Sequence, residues 1–259
     1  MAVVATSYGQ IGVQERGTGG VPLVLLHGVG SDKSAWEPQL ADFGAKRRTV
    51  AFDYPGYGES TFLPDATRDT YAAAILAAMD ALSIDRAHVG GLSLGGVVAL
   101  AIHAAAPDRC ASLILADSFA VHPEGQAIHD RSLAAARGLG MRGLAEARAD
   151  ALLAQPADPA LRAEVVATMS RIAPAAYAVG AEAVWLADQR ERAAAVACPT
   201  LILCGTEDRI TPPTLSEALK DLIPHAAHVE IAGAGHLSNL ERPAVFNRVV
   251  DAFLAGVES

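Results

Sequence analysis

Three residues in this chain have the chemistry and the surroundings for acyl transfer: Ser93, Asp208 and His236. Ser93 is the centre of Gly91-Leu92-Ser93-Leu94-Gly95-Gly96, a G-x-S-x-G pattern with an apolar run before it (Ala87 to Gly90) and a helix-like run after it (Val97 to Ala106). A strand that turns abruptly into a helix holds the turn residue in a strained backbone conformation. Glycines two before and two after leave room where a side chain would clash. The hydroxyl then points out at the carboxyl end of the strand, beside the free N–H groups of the helix start. A serine hydroxyl is too weak an acid to attack an acyl carbon at neutral pH without a general base. Neutral histidine suits that task and can return the proton to the leaving group. A carboxylate on its other ring nitrogen fixes the tautomer and stabilises the imidazolium.

The elements that must position these groups alternate along the chain. Residues 2 to 14 read as one or two short strands. Val21 to Leu26, Thr49 to Phe52, Leu113 to Ala116, Thr200 to Leu203 and Ala227 to Ile231 are short apolar runs of the kind buried in a parallel sheet, joined by the strand that precedes Ser93. Helices are expected near 36–45, 69–82, 97–106, 213–222 and 243–254. The second presents Ile75, Leu76, Met79 and Leu82 on one face. This rhythm implies parallel βαβ units covered on both faces. From 121 to 195 no strand pattern occurs. Helical stretches near 124–137, 141–154, 159–172 and 174–189 read as an insertion. The expected organisation is a core of 1–120 and 196–259 with a helical cap over 121–195.

Ser93, Asp208 and His236 each fall where a strand ends and loops converge. Asp117, at the end of another strand, is a rival for the acid, and Asp208 is also suited to cap a helix. Glu207 reads as solvated. His88, His103, His122, His129, His225 and His228 show no metal-ligand spacing, so no metal and no cofactor are expected. The glycines of Asp53 to Ser60 lack the lysine and spacing of a nucleotide loop. They read as a structural turn near the pocket.

A net charge of −9 argues against a nucleic-acid or anionic membrane surface. The three cysteines (Cys110, Cys198, Cys204) lack a disulfide framework and fit a reducing compartment. No apolar run reaches the roughly 20 residues of a membrane span, and no signal-like N-terminus is visible. A cytoplasmic protein is expected, acting on a small molecule. The sequence leaves a homodimer open.

Taken together, His27-Gly28, Asp53-x-x-Gly56-x-Gly58-x-Ser60, Gly91-x-Ser93-x-Gly95-Gly96, Gly205-x-x-Asp208-x-x-x-Pro212 and Gly235-His236 resemble the α/β-hydrolase fold over nearly the whole chain. The resemblance implies an eight-stranded, mostly parallel sheet with the order serine, acid, histidine. It also implies backbone oxyanion donors at Val29 and Leu94 and a structural role for His27. Relatives of this fold that use a carboxylate nucleophile, the haloalkane dehalogenases and epoxide hydrolases, are excluded by Ser93. The segments Asp188-Gln189-Arg190-Glu191-Arg192, Cys198-Pro199-Thr200 and Gly235 to Asn247 look like the 3-oxoadipate enol-lactonase branch, as does the insertion. The loop Asp53-Tyr54-Pro55-Gly56-Tyr57-Gly58 lacks the arginine usual in that branch. The expectation is hydrolysis of a small ester or lactone, with that enol-lactone as one candidate. A general carboxylesterase, a carbon–carbon bond hydrolase, a cofactor-free perhydrolase or haloperoxidase, and a small-molecule receptor are the alternatives. Trp185, Tyr177, Phe119, His122 and Met169 are candidates to line the pocket, and Trp36 reads as core packing near its entrance.

Overall fold

Alternate residues of the four-residue strand Leu23–Leu26 (β3) enter two different hydrophobic cores. Leu23 and Leu25 join Leu40, Phe43, Phe246 and Leu254 on one face of the sheet, whereas Val24 and Leu26 join Tyr71, Ile75 and Val97 on the other. A strand buried on both faces has no need of polar alternation, which is why these runs read as continuous apolar segments. Burying each such side chain contributes about 1.5–3 kcal/mol.

The computed structural model describes residues 2–259. The strands β1 (Ala2–Thr6), β2 (Gly9–Arg16), β3, β4 (Thr49–Phe52), β5 (Ala87–Leu92), β6 (Cys110–Ala116), β7 (Thr200–Gly205) and β8 (Ala227–Ile231) form one sheet. Its order is β1-β2-β4-β3-β5-β6-β7-β8, with β1 and β2 antiparallel and the rest parallel. The expected eight-stranded α/β-hydrolase sheet is therefore the observed one. Helices α1 (Glu37–Phe43) and α10 (Pro243–Glu258) cover one face, and α2 (Arg68–Ala81) and α3 (Leu94–Ala105) cover the other. Residues Leu94 to His103 of α3 are buried without interruption. That accounts for its lack of a polar face: the helix is enclosed all round.

Between β6 and β7 the chain leaves the sheet for α4 (Gly125–Leu152), α5 (Pro159–Ser170), α6 (Pro174–Trp185) and α7 (Arg190–Ala194). The two stretches expected near 124–137 and 141–154 are one long helix broken at Gly140, whose φ of 68° and ψ of 174° only glycine adopts freely. The helix expected to reach 189 ends at Trp185, and the short α7 starts only at Arg190. Gln189 anchors this exit: its amide donates to Ala120 O at 2.8 Å and its side chain to Val97 O at 2.9 Å. Helix α8 (Pro213–Leu222) follows β7, and a single turn, α9 (Ser238–Glu241), precedes α10. Cys110, Cys198 and Cys204 are free thiols. No helix among the described residues is long and apolar enough to cross a membrane.

Candidate active site

At the end of β5 the backbone reverses through Ser93, with φ 56° and ψ −114°. For a residue with a Cβ this conformation is strained, costing about 1–3 kcal/mol, and the surroundings must hold it. They do so by close approach. A Cβ on Gly91 would overlap the backbone of Gly95, and a Cβ on Gly95 would overlap the carbonyl of Leu26. The Ser93 amide donates to Ala116 O at 2.9 Å, and the Ser118 hydroxyl donates to Ser93 O at 2.8 Å. The glycines thus let β5, α3 and β3 close up until strand β6 can pin the turn.

His236 lies in the loop after β8. Its Nδ1 faces Asp208 Oδ2 at 2.8 Å, and its backbone amide donates to Leu152 O, at the end of α4, at 2.9 Å. Asp208 follows β7, and three further donors complete its shell: Ile210 N (2.8 Å), Thr211 N (2.9 Å) and Thr211 Oγ1 (2.7 Å). Burial would raise the pKa of this carboxyl. The charge of His236 and the bonds from His236 and Thr211 outweigh that and hold it below its ordinary value. Burial would likewise lower the pKa of His236, but the Asp208 charge and hydrogen bond raise it above 6.5, with Asp117 assisting and Arg148 opposing. The imidazole is thus held with Nδ1 on the acid and Nε2 free. Ser93 and His236 border the same cavity, and among the described residues the Ser93 hydroxyl has no hydrogen-bond partner. Such bonds often tighten only when substrate binds.

Asp117, the rival acid, sits at φ 47° and has no hydrogen bond to the imidazole. Its carboxyl accepts from Gly205 N at 2.8 Å and from the Ser238 hydroxyl at 2.5 Å. Burial, and then the charge of Asp208, push its pKa up to about 8. Asp117, Cys204 and Asp208 bring one potential ligand atom each within 4.8 Å of one another. The carboxylate oxygens there already have hydrogen-bond donors, and burial pushes the Cys204 thiol up to about 12, away from the thiolate a metal takes.

The cavity encloses about 50 Å³ and is mostly apolar. Its floor comes from the His27–Ser31 loop, Leu92 and Ser93, and its walls from Trp36, Leu237 and Leu240. Its roof comes from the insertion: Arg148 and Leu152 of α4, and Glu164, Val165, Thr168 and Met169 of α5. The Val29 amide has no acceptor among the described residues, nor has the Leu94 amide that opens α3; the Leu94 side chain is fully buried. His27 is a strut. Its Nδ1 donates to Gly28 O at 2.8 Å, its ring packs on Tyr54 and Tyr57, and burial lowers its pKa, so it is neutral. The Asp53–Ser60 turn is likewise structural. Asp53 accepts from Lys33 N at 2.8 Å and Lys33 Nζ at 2.6 Å, and the ammonium also pairs with Glu59.

Of the residues expected in the pocket, Met169 lines this cavity, and Trp36 both lines it and packs on Phe246. His122 instead borders a second, more open cavity of about 640 Å³ between α4 and the start of α8, and its Nε2 donates to Ile210 O at 3.1 Å. Phe119, Tyr177 and Trp185 border neither cavity, which corrects their assignment. All three are buried where the insertion meets the sheet, and the Phe119 and Trp185 rings stack with centroids 6.0 Å apart. Apolar periodicity marks a residue for burial without saying against what. Arg148 was missed, although it stands in the apolar stripe Met141, Leu144, Ala145, Ala149 and Leu152, where a charge is out of place.

Residues 23–249 match the family described as the alpha/beta hydrolase family. The 3-oxoadipate enol-lactonase 1 of Acinetobacter baylyi is 29% identical, the match covering 96% of this chain and 94% of that protein. The crystal structure of the enol-lactonase from Burkholderia xenovorans superposes with a TM-score of 0.91 at 28% identity, covering 98% of this chain and 100% of that one. A thermophilic esterase from Thermogutta terrifontis gives a TM-score of 0.91 at 29% identity, covering 100% and 99% respectively. The strained serine turn, the paired acid and histidine and these likenesses converge: the chain belongs to the alpha/beta hydrolase family, and its class of chemistry is hydrolysis.

Proposed function

We propose that the protein hydrolyses small carboxylic esters or lactones through an acyl-serine intermediate. The observation that carries this reading is the 2.8 Å Asp208–His236 pair bordering the same cavity as Ser93 at its positive-φ turn. Ser93 Oγ attacks the carbonyl carbon as His236 Nε2 takes its proton. The amides of Val29 and Leu94 receive the oxyanion, a contribution of about 10²–10³-fold per donor in other acyl transferases. Collapse expels the alkoxide, protonated by His236; in a lactone it stays tethered to the acyl group. Water, deprotonated by His236, then attacks the acyl-serine and releases the acid. Asp208 holds the imidazole through both halves.

The helical segment 121–195 acts as a cap that sets specificity over the core of 1–120 and 196–259. The likeness to enol-lactonases makes 3-oxoadipate enol-lactone one candidate substrate.

The test is steady-state hydrolysis of p-nitrophenyl acetate, butyrate and octanoate, γ-butyrolactone, dihydrocoumarin and an enzymatically generated oxoadipate enol-lactone. Wild type and Ser93→Ala are run side by side. A loss of about 10⁴–10⁶-fold in kcat in the variant supports the acyl-serine route. Equal rates in both would sink it. Lactones exceeding linear esters in kcat/KM support a lactonase; the reverse order identifies a carboxylesterase.

A further inference from the structure

One charged group in the cavity is left without a task by this mechanism. Arg148 borders both the cavity at Ser93 and the larger one beside it, so its side chain forms part of the wall between them. Its Nη1 donates to the Tyr177 hydroxyl at 2.9 Å, and its guanidinium lies 5.7 Å from the Trp185 ring centroid. Tyr177 and Trp185, fully enclosed, therefore act on the site through Arg148: they fix the plane of the guanidinium from behind. Among the described residues no carboxylate forms an ion pair with it. The other charged residue at this cavity, Glu164, is exposed at the rim, where water screens it.

A half-buried guanidinium without a counter-ion is an unfavourable arrangement that a protein keeps when something else supplies the anion. The remaining N–H donors present the planar fork that matches a carboxylate in two parallel hydrogen bonds. Its charge also opposes protonation of His236, the step that accompanies serine attack. A bound anion would cancel that opposition.

We propose that Arg148 receives a carboxylate carried by the substrate, so that preferred substrates are esters or lactones with a free carboxylate besides the scissile acyl group. The proposal rests on the acyl-serine reading and narrows its substrate class. Arg148 is the specificity-determining residue, and Tyr177 and Trp185 position it.

The experiment compares mono-p-nitrophenyl adipate with p-nitrophenyl hexanoate, which share chain length and differ in the terminal carboxylate. Wild type, Arg148→Met and Arg148→Lys are assayed at low and high salt. Wild type should favour the adipate in kcat/KM. Arg148→Met should reduce that preference about 10–100-fold, the scale of a lost charge-assisted hydrogen bond, mainly through KM. Arg148→Lys should keep part of it, and salt should erode it in wild type. A wild-type preference for hexanoate, or equal losses on both substrates in Arg148→Met, would overturn the proposal.

A thermal-shift titration of Ser93→Ala with adipate dianion reads binding without turnover, and Ser93→Ala/Arg148→Met should lose the stabilisation. Adipate binding through Arg148 with no ester or lactone turned over would leave the anion site standing and remove the hydrolase reading. Turnover with neither adipate binding nor charge preference would do the opposite.

Discussion

The carboxyl ends of the neighbouring strands β6 and β7 each bury an aspartate, yet the pKa values of the two carboxyls are pushed in opposite directions. Asp117 and Asp208 are both at most 3% exposed, so burial does not separate them. Their donors do. Asp208 collects four, including the imidazole of His236, and its pKa falls below the ordinary value. Asp117 collects two, neither charged, too few to offset its burial and then the charge of Asp208, so its pKa rises to about 8. A strand end supplies a place for an acid; its hydrogen-bonding neighbours decide whether it works as an anion or as a neutral brace between β6, β7 and the histidine loop.

The sharpest way to break this contrast is to neutralise each acid in turn. Asp208→Asn should lower kcat by about 10⁴-fold on the best substrate of the panel, because an amide no longer selects the tautomer with Nε2 free. If Asp117→Asn gave the larger loss, the roles assigned to the two acids would be reversed.

The pH profile gives the next effect. In the proposed mechanism the working base is neutral His236, whose pKa is raised above 6.5. In wild type kcat/KM should therefore climb with pH through an apparent pKa above 6.5, falling about tenfold per unit on its acid side. A midpoint below 6.5 would contradict the Asp208–His236 coupling. The measured midpoint belongs to the interacting set of groups rather than to one residue.

Asp117→Asn should show the smallest activity change, within a few-fold at pH 7, and a distinct effect on stability. A carboxyl whose pKa is raised to about 8 on folding binds its proton in the native state while the unfolded chain has lost it. Its destabilising contribution therefore grows as pH rises from about 4 towards 8. The asparagine variant, which does not titrate, should gain Tm over wild type at pH 8 relative to pH 5. An unchanged difference between the two pH values would mean that Asp117 is ionised in the native protein.

Much of the fold was legible because its signals are local. The apolar runs at Leu23–Leu26 and Thr200–Leu203 are short, bounded and followed by glycine loops. The Gly91–Gly96 segment states its own geometry, since only glycine tolerates the approach of Leu26 and Gly95. Ser93, Asp208 and His236 could be proposed from position alone, while setting Asp117 aside needed coordinates: both aspartates follow strands, and their hydrogen-bond partners distinguish them. The insertion was the least legible part. Phe119, Tyr177 and Trp185 look like pocket aromatics because a large apolar side chain at or near the insertion is marked for burial but not for the surface that covers it. Arg148 carries a usable signal, an arginine at i+4 from Leu144 and i−4 from Leu152, but helical spacing does not say that two cavities meet at it.

One contact in the histidine loop bears on how such enzymes can be recombined. The Glu241 carboxylate accepts from Gly235 N at 2.8 Å with one oxygen and from Ala154 N at 2.7 Å with the other, beside the bond from His236 N to Leu152 O. An insertion transplanted from a homologue would thus have three seams rather than two. Besides the joints near 121 and 195, the segment 152–154 must dock onto Gly235 and Glu241. A chimaera matched only at its ends would import a new roof while unmooring His236 beneath it.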